Sequence, residues 1–339
     1  MMKLFRGMRA LSLGQGNTSG YLKYAFGEIV FVVVGILMAF QIDTWNDQRK
    51  ADLHARHLFE QIQSELVLNI ENCNTVLNEY RGKDTVVHDI LEGVVDRQDY
   101  RDHLEYGLVL LTQREVEVSS EAFVNLVSSE DVFSKDQRSI LLELKELYGN
   151  DKRYVDNLNE IATDNALDYH EQFKNEQPWY ADLFMNFRVP EEMIDYCMED
   201  PFYFNSVAHF QFIHLRNHVR YTLNFRNRAI AIHERLASQM DLSLDPAIAA
   251  SGSGHEDLLG NYSGADLELV VAMNEGRLMA RQTDAKTGFE RSLERVYPDN
   301  SEEFMLGDRF GQVIRNEAGA VSSLRLSQGT LRTEFVKIP

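Results

Sequence analysis

Cysteine is nearly missing from this chain: Cys73 and Cys197 are the only two in 339 residues. They are far apart and form no CxxC pair, which excludes a cysteine zinc site and a disulfide-dense scaffold. Cys73 falls on an apolar helical stripe, where a lone thiol acts as a small hydrophobe, so the two are expected not to bridge. Basic residues are also scarce, 34 Lys and Arg against 53 Asp and Glu for a net charge of −19. They are scattered, so the main body has no clustered surface for nucleic acid or anionic lipid. Catalytic motifs are lacking too. There is no S-x-x-K and no G-x-S-x-G elbow. Gly14-Gln-Gly16-Asn-Thr-Ser-Gly20 is one residue too long for a dinucleotide fingerprint and has no strand before it. His233-Glu234 starts an H-E-x-x-H pattern that fails at Ala237. No catalytic residue and no cofactor site is therefore expected.

A long apolar segment is present. From Ile29 to Phe40 every residue is apolar or glycine, with Tyr21, Tyr24 and Phe26 before the run and Ile42 and Trp45 after it. As a helix, Tyr21 to Trp45 would run about 37 Å, enough to cross a hydrocarbon core of about 30 Å. Its aromatic ends suit the two interfaces of a bilayer. A cleaved signal peptide is the weaker reading, because the preceding segment is long for an n-region and no A-x-A-like site follows. A soluble core helix is also weaker, because the apolar residues run all the way round. Lys3, Arg6, Arg9 and Lys23 precede the span with no acid until Glu28, which predicts an N-terminus that stays inside. Glu28 sits one turn from Tyr24 and is expected at the interface. Gly35 and Ala39 form a small-xxx-small pair that permits close helix packing.

Residues 46–242 read as helices. Leu58, Ile62, Leu66, Ile70, Cys73 and Leu77 recur every three to four residues, with Glu60, Gln63, Glu65 and Glu71 between them on the polar side. Ser134-x-x-Gln137 is a capping box before Ile140, Leu141, Leu144 and Leu147. Pro190 suits the first position of a short helix that Pro201 would close. From Phe202 to Leu236 one long pattern runs through Val207, Phe210, His214, Tyr221, Phe225 and Ile232. His214 and His218 have the i, i+4 spacing that turns two imidazoles to one face, which makes them the only metal-ligand candidates. His209 lies close by. His214 is within the apolar stripe and no Asp or Glu stands beside the pair, so packed, hydrogen-bonded histidines are the favoured reading. The aromatics between Trp179 and Phe225, including Phe184, Phe187 and Phe212, could line a groove but are read first as packing.

Residues 243–255 have linker composition. After them the period becomes two: Leu267, Leu269 and Val271 alternate, then Leu278 and Ala280, then Val321, Leu324 and Leu326, then Leu331, Phe335 and Ile338. Turns fit at Asn274-Glu-Gly276, Pro298-Asp-Asn300, Asn316 to Gly319 and Gln328-Gly329. Six or seven short antiparallel strands are expected over 256–339, as a meander or small barrel. The fold class is then α+β: a tail over 1–20, a transmembrane helix over 21–45, an extracytoplasmic helical bundle over 46–242, a linker, and an antiparallel β domain expected to fold on its own.

Two resemblances accompany this reading. Tyr21 to Val30, continuing through Gln41-Ile-Asp-Thr-Trp-Asn-Asp-Gln-Arg-Lys50, resembles the N-terminal signature of a bacterial single-span membrane family of unknown function, with Asp43 and Asp47 where that family has Asn and Glu. Ala122-Phe123-x-x-Leu126-x-Ser128-Ser129 and Leu147-Tyr148 resemble its mid-domain helices. The resemblance covers about the first half of the chain and implies topology alone. Leu258 to Gly264, Gly276-Arg277-Leu278 with Gln282-Thr283, Tyr297 to Phe304 and Asn316 to Gly319 resemble the lipocalin-like β appendage of penicillin-binding-protein-like serine hydrolases. The hydrolase motifs themselves are missing.

Three functions are compatible with these readings. First is a non-enzymatic interaction or scaffolding protein held at the outer face of a bacterial inner membrane, with a protein partner there or a second copy of itself. A ligand-sensing module acting through a membrane partner is second, and an enzyme with an unrecognised site is third.

Overall fold

The computed structural model describes residues 18–129, 133–186, 189–246, 248 and 255–338. Most of the basic tail, Phe187 and the small-residue linker from Ala249 to Gly254 lie outside the described residues. By contacts the chain divides into two compact units, Met1–Leu58 with Ser129–Phe133, and Phe59–Ser128 with Ser134–Pro339.

In the first unit residues 18–58 are helical. Helix α1 spans Thr18–Leu91, and its residues up to Leu58 belong to this unit. It contains an 18-residue window of mean hydropathy 1.9, none of it buried, and is long and apolar enough to cross a membrane by length and composition. From Phe26 to Trp45 thirteen large apolar side chains are 40–76% exposed. Six of them, Ile29 to Val34, are consecutive and so cover every face of a helix that turns about 100° per residue. Thr44 returns its hydroxyl to the Phe40 carbonyl at 2.8 Å, so it adds no unpaired polar group. Glu28 is exposed, and nothing lies within 4 Å of a Cβ built on Gly35.

The second unit holds the rest of α1 and all other elements. Helices α2 (Arg97–Asp102), α3 (Leu104–Leu108), α4 (Glu121–Val127), α5 (Lys135–Glu146), α6 (Lys152–Glu176), α7 (Tyr180–Asn186), α8 (Glu191–Glu199), α9 (Pro201–Phe210) and α10 (Val219–Met240) succeed it in order. Ile62, Leu66, Ile70, Cys73 and Leu77 of α1 are all buried, as their spacing predicts. Glu65 corrects the same reading, because it is buried rather than on a polar face. Its carboxylate accepts from the amides of Ala122 and Phe123 at 2.7 and 3.3 Å and from the Ser119 hydroxyl at 3.2 Å. The amide donors that α4 leaves unpaired at its N-terminus compensate this burial. The Ser134–Gln137 capping box forms in both directions. Pro190 is the residue before α8 instead of its first, while Pro201 both ends α8 and opens α9 behind the capping Asp200.

The pattern from Phe202 to Leu236 is not one regular α-helix. Gln211–His218 winds as π-helix between α9 and α10. A π turn inserts a residue and rotates the helix beyond it. Burial then falls on adjacent pairs, His214 with Leu215, His218 with Val219, Thr222 with Leu223, and Phe225 with Arg226.

Strands β1 (Gly260–Gly264), β2 (Leu267–Asn274), β3 (Arg277–Asp284), β4 (Glu294–Pro298), β5 (Glu303–Leu306), β6 (Arg309–Arg315), β7 (Val321–Gln328) and β8 (Leu331–Ile338) pair in sequence order and close into a barrel. Closure is made by β1 on β8, Asn261 opposite Ile338. The count exceeds the six or seven expected. Leu269, Val271, Leu278, Ala280, Val296, Phe304, Val313, Leu324, Leu326 and Phe335 fill the interior. A register shift at Ile314/Arg315 lets Val321 and Leu324, an odd number of residues apart, both be buried. Leu331 and Ile338 are 57% and 45% exposed, so they are not core residues. Gly311 faces inward opposite Phe304, where a Cβ would come within 2.3 Å of that ring.

The barrel's outer face over β4 to β6 is apolar as well. Tyr297, Met305 and Phe310 are buried there. Arg226 of α10 and Arg295 of β4 lie over the Tyr297 ring at 5.4 and 4.8 Å, and Arg81 of α1 lies over Phe310 at 5.3 Å. The helices and the barrel thus share one compact unit.

Candidate functional site: a polar cleft beside a buried histidine pair

The site is built on α1 between Asn78 and Thr85. Residues three and four apart share a helix face, so Asn78, Arg81, Gly82 and Thr85 form one stripe. The stripe faces strands β5 to β8 across a cleft of about 680 Å³, whose far wall includes Asn300, Gln312 and Ser327.

The charged groups of the cleft are already paired. Arg81 donates to Asp299 at 2.5 Å and to the Gly311 carbonyl at 3.2 Å. Asp299 also faces Arg226 at 3.3 Å. Burial pushes the Asp299 carboxyl up from its ordinary range, and Arg226 and Arg81 oppose that rise. Arg226 is itself 4% exposed, and its burial lowers its pKa. Asp84, 2% exposed, accepts from the Gly329 amide, and burial raises its pKa too. Arg332 is 3.9 Å from it. Arg325 is tied to Glu334 at 3.1 Å and to Gln312 at 3.4 Å. The uncharged groups of the α1 stripe differ: among the described residues the side chains of Asn78 and Thr85 make no hydrogen bond.

The structure brings His214 and His218 together, but around a tyrosine. The Tyr80 hydroxyl lies 3.1 Å from Nδ1 of His214 and 2.9 Å from Nδ1 of His218. Nε2 of His218 lies 3.0 Å from Oδ1 of Asn159. Asn159 is oriented by Val116, whose amide donates to Oδ1 at 2.9 Å and whose carbonyl accepts from Nδ2 at 3.0 Å. Oδ1 is therefore an acceptor and His218 must donate to it through Nε2. With His218 neutral, Nδ1 accepts the Tyr80 hydroxyl proton, and the Tyr80 oxygen then accepts from Nδ1 of His214. Burial depresses His214 to about 3, helped by His218 and Lys83, and His218 to about 4. The chain His214 to Tyr80 to His218 to Asn159 thus runs in one direction and leaves neither nitrogen of His218 for a metal. Among the described residues no group of three His, Cys, Asp or Glu is placed to hold one. His209 is apart, 3.4 Å from the Tyr169 hydroxyl.

The other sequence candidates also have structural partners. Glu234 accepts from Arg277 at 2.7 Å and from Arg295 at 2.8 and 3.0 Å, so the failed zincin pattern joins α10 to the barrel. Trp179 is buried against Phe173 and Tyr196, and Tyr203 donates to the Tyr106 carbonyl at 2.7 Å. Phe184 and Phe212 stay 37% and 55% exposed. Cys73 and Cys197 are both free and buried, and burial pushes each thiol up to about 12. The cleft residues escaped sequence reasoning, although Gly82 in the middle of a long helical pattern was a signal for them.

No family model matches this chain, and no curated protein matches it.

Proposed function

We propose that this chain is a single-span membrane protein of the bacterial inner membrane, with its N-terminus inside and its folded body in the periplasm, acting as a non-enzymatic interaction or scaffolding protein. The carrying observation is the apolar surface of α1 from Phe26 to Trp45, exposed on every face. A fully buried side chain of this kind contributes roughly 1.5–3 kcal/mol, so thirteen of them in water would be opposed by some tens of kcal/mol, and hydrocarbon removes that opposition. The excess of Lys and Arg before the span supports the orientation. The N-terminal signature and the barrel's resemblance to a lipocalin-like appendage agree with a body outside the cytoplasm. A partner in the membrane or periplasm, a second copy included, would complete the role, with no nucleic acid involved. The first test is extraction: the chain should stay with membranes in alkaline carbonate and leave them only in detergent. Release by carbonate would sink the anchoring.

Ligand sensing through the barrel lumen is disfavoured, because side chains fill it. A metal enzyme at His214 and His218 is disfavoured by the hydrogen bonds those rings already make.

A further inference from the structure

We infer that the cleft between α1 and the outer wall of the barrel is a binding site for a neutral, hydroxyl-rich ligand of the saccharide class. This goes beyond the anchoring role and does not rest on it.

The first observation is Gly82. A glycine in the interior of a helix is about 1 kcal/mol less favourable than alanine, and it is usually explained by a close neighbour. Here a Cβ built on Gly82 meets nothing within 4 Å. No contact inside the protein requires the missing side chain, yet the position lines the cleft. What the glycine keeps open is the cleft floor, where a ligand can approach the helix backbone.

The second observation is which groups are left uncommitted. The cleft contains Arg81, Arg325 and Arg332 against Asp84, Asp299 and Glu303, so its formal charge is balanced, and these charges are already engaged in ion pairs, Arg325 with Glu334 and Asp299 with both Arg81 and Arg226. An anion would have to compete with Asp299 for Arg81 and with Glu334 for Arg325. A cation would have to displace Arg226 or Arg81 from Asp299. Among the described residues, the cleft groups that make no hydrogen bond are the buried Nε of Arg81 and of Arg332, which donate, and the exposed Asn78 amide and Thr85 hydroxyl, one turn to either side of Gly82, which donate and accept. The hydroxyls of a sugar, which also donate and accept, can meet all four. The volume is within the range of small-ligand sites, and such sites favour junctions between packed layers.

The test uses the full chain in a zwitterionic, non-glycosidic detergent, with maltotriose, cellotriose and triacetylchitotriose as separate probes and glucose 6-phosphate and glycine betaine as controls. At least one trisaccharide should bind saturably with Kd below about 1 mM. Gly82→Leu, which fills the cleft floor, should weaken it by at least about tenfold. Gly82→Ala should raise the melting temperature by roughly 2–4 °C and weaken binding too. Asn78→Leu, at an exposed position, is the second probe and should also weaken binding. If no trisaccharide binds at about 10 mM, if only glucose 6-phosphate or betaine binds, or if the Leu variants bind as the parent does, the assignment is wrong.

Discussion

Asp299 is the residue on which the helix-to-barrel contact turns, because its carboxylate faces two guanidiniums, Arg81 and Arg226, at 2.5 and 3.3 Å. Removing one member of a buried ion pair is strongly destabilising, since the other charge stays behind without a partner. Asp299→Ala should reduce unfolding free energy by about 3–5 kcal/mol in denaturant titrations, more than Asp266→Ala at an exposed pair. Equal effects would mean the pair is not buried in solution. The histidines supply a pH test. Both have folded pKa values below the ordinary 6.5, His214 at about 3 and His218 at about 4. The unfolded chain therefore takes up protons first as pH falls, and stability fully present above about 6.5 is lost progressively down to about 4 for His218 and about 3 for His214. Asp84 and Asp299 have the opposite sign. With folded values raised by burial, they favour folding more at low pH and lose that contribution as pH rises through those values. Between pH 5 and 6.5, on the order of the histidine range, the melting temperature should fall with acid, and His214→Gln should flatten that slope. A flat profile in the parent chain would contradict the neutral histidine chain. Little of this was legible in the sequence: the i, i+4 spacing found the two rings, but their contact with Tyr80 joins positions 134 and 138 residues apart. Likewise a buried Arg226 or Glu65 has the same letter as a surface one.

At the scale of elements, the sequence pattern was more informative. Period and capping chemistry are local, so the α1 stripe, the Ser134 box and the hairpin positions could be read directly. The π segment could not, because it keeps the apolar spacing of a helix while adding a residue, and that choice is made by packing against α1 and α6. Barrel closure was equally hidden, since it pairs the first strand with the last. Turns permit a graded prediction. Gly276 and Gly329 both have positive φ, 75° and 62°. A Cβ on Gly276 would meet nothing within 4 Å, whereas one on Gly329 would fall 2.6 Å from the Gln211 side chain. Gly276→Ala should lose about 1 kcal/mol from backbone strain alone, and Gly329→Ala about 2–3 kcal/mol because the β7–β8 turn must also lift off Gln211 and Asp84. Equal losses, read by thermal melts, would show that this turn does not dock on the helices.

For the whole molecule, the period change near residue 255 marks a real change of secondary structure, and the barrel on its far side packs with the helices. The compact unit that begins at Phe59 includes both. A cut at Gly252 would remove the carboxylate beside Arg226 and expose the surfaces that cover Tyr297, Met305 and Phe310. The truncated chain should therefore show a lower melting temperature or faster degradation than the full one, and an unchanged melt would support the independent division. The central claim is topological, that one N-terminal span holds the folded mass on the far side of the bilayer. Its most direct measurement is a reporter fused after Pro339, made once with alkaline phosphatase and once with green fluorescent protein. An active phosphatase and a dark fluorescent fusion are expected; a bright fluorescent fusion with an inactive phosphatase would place the body inside the cell and overturn the proposed topology.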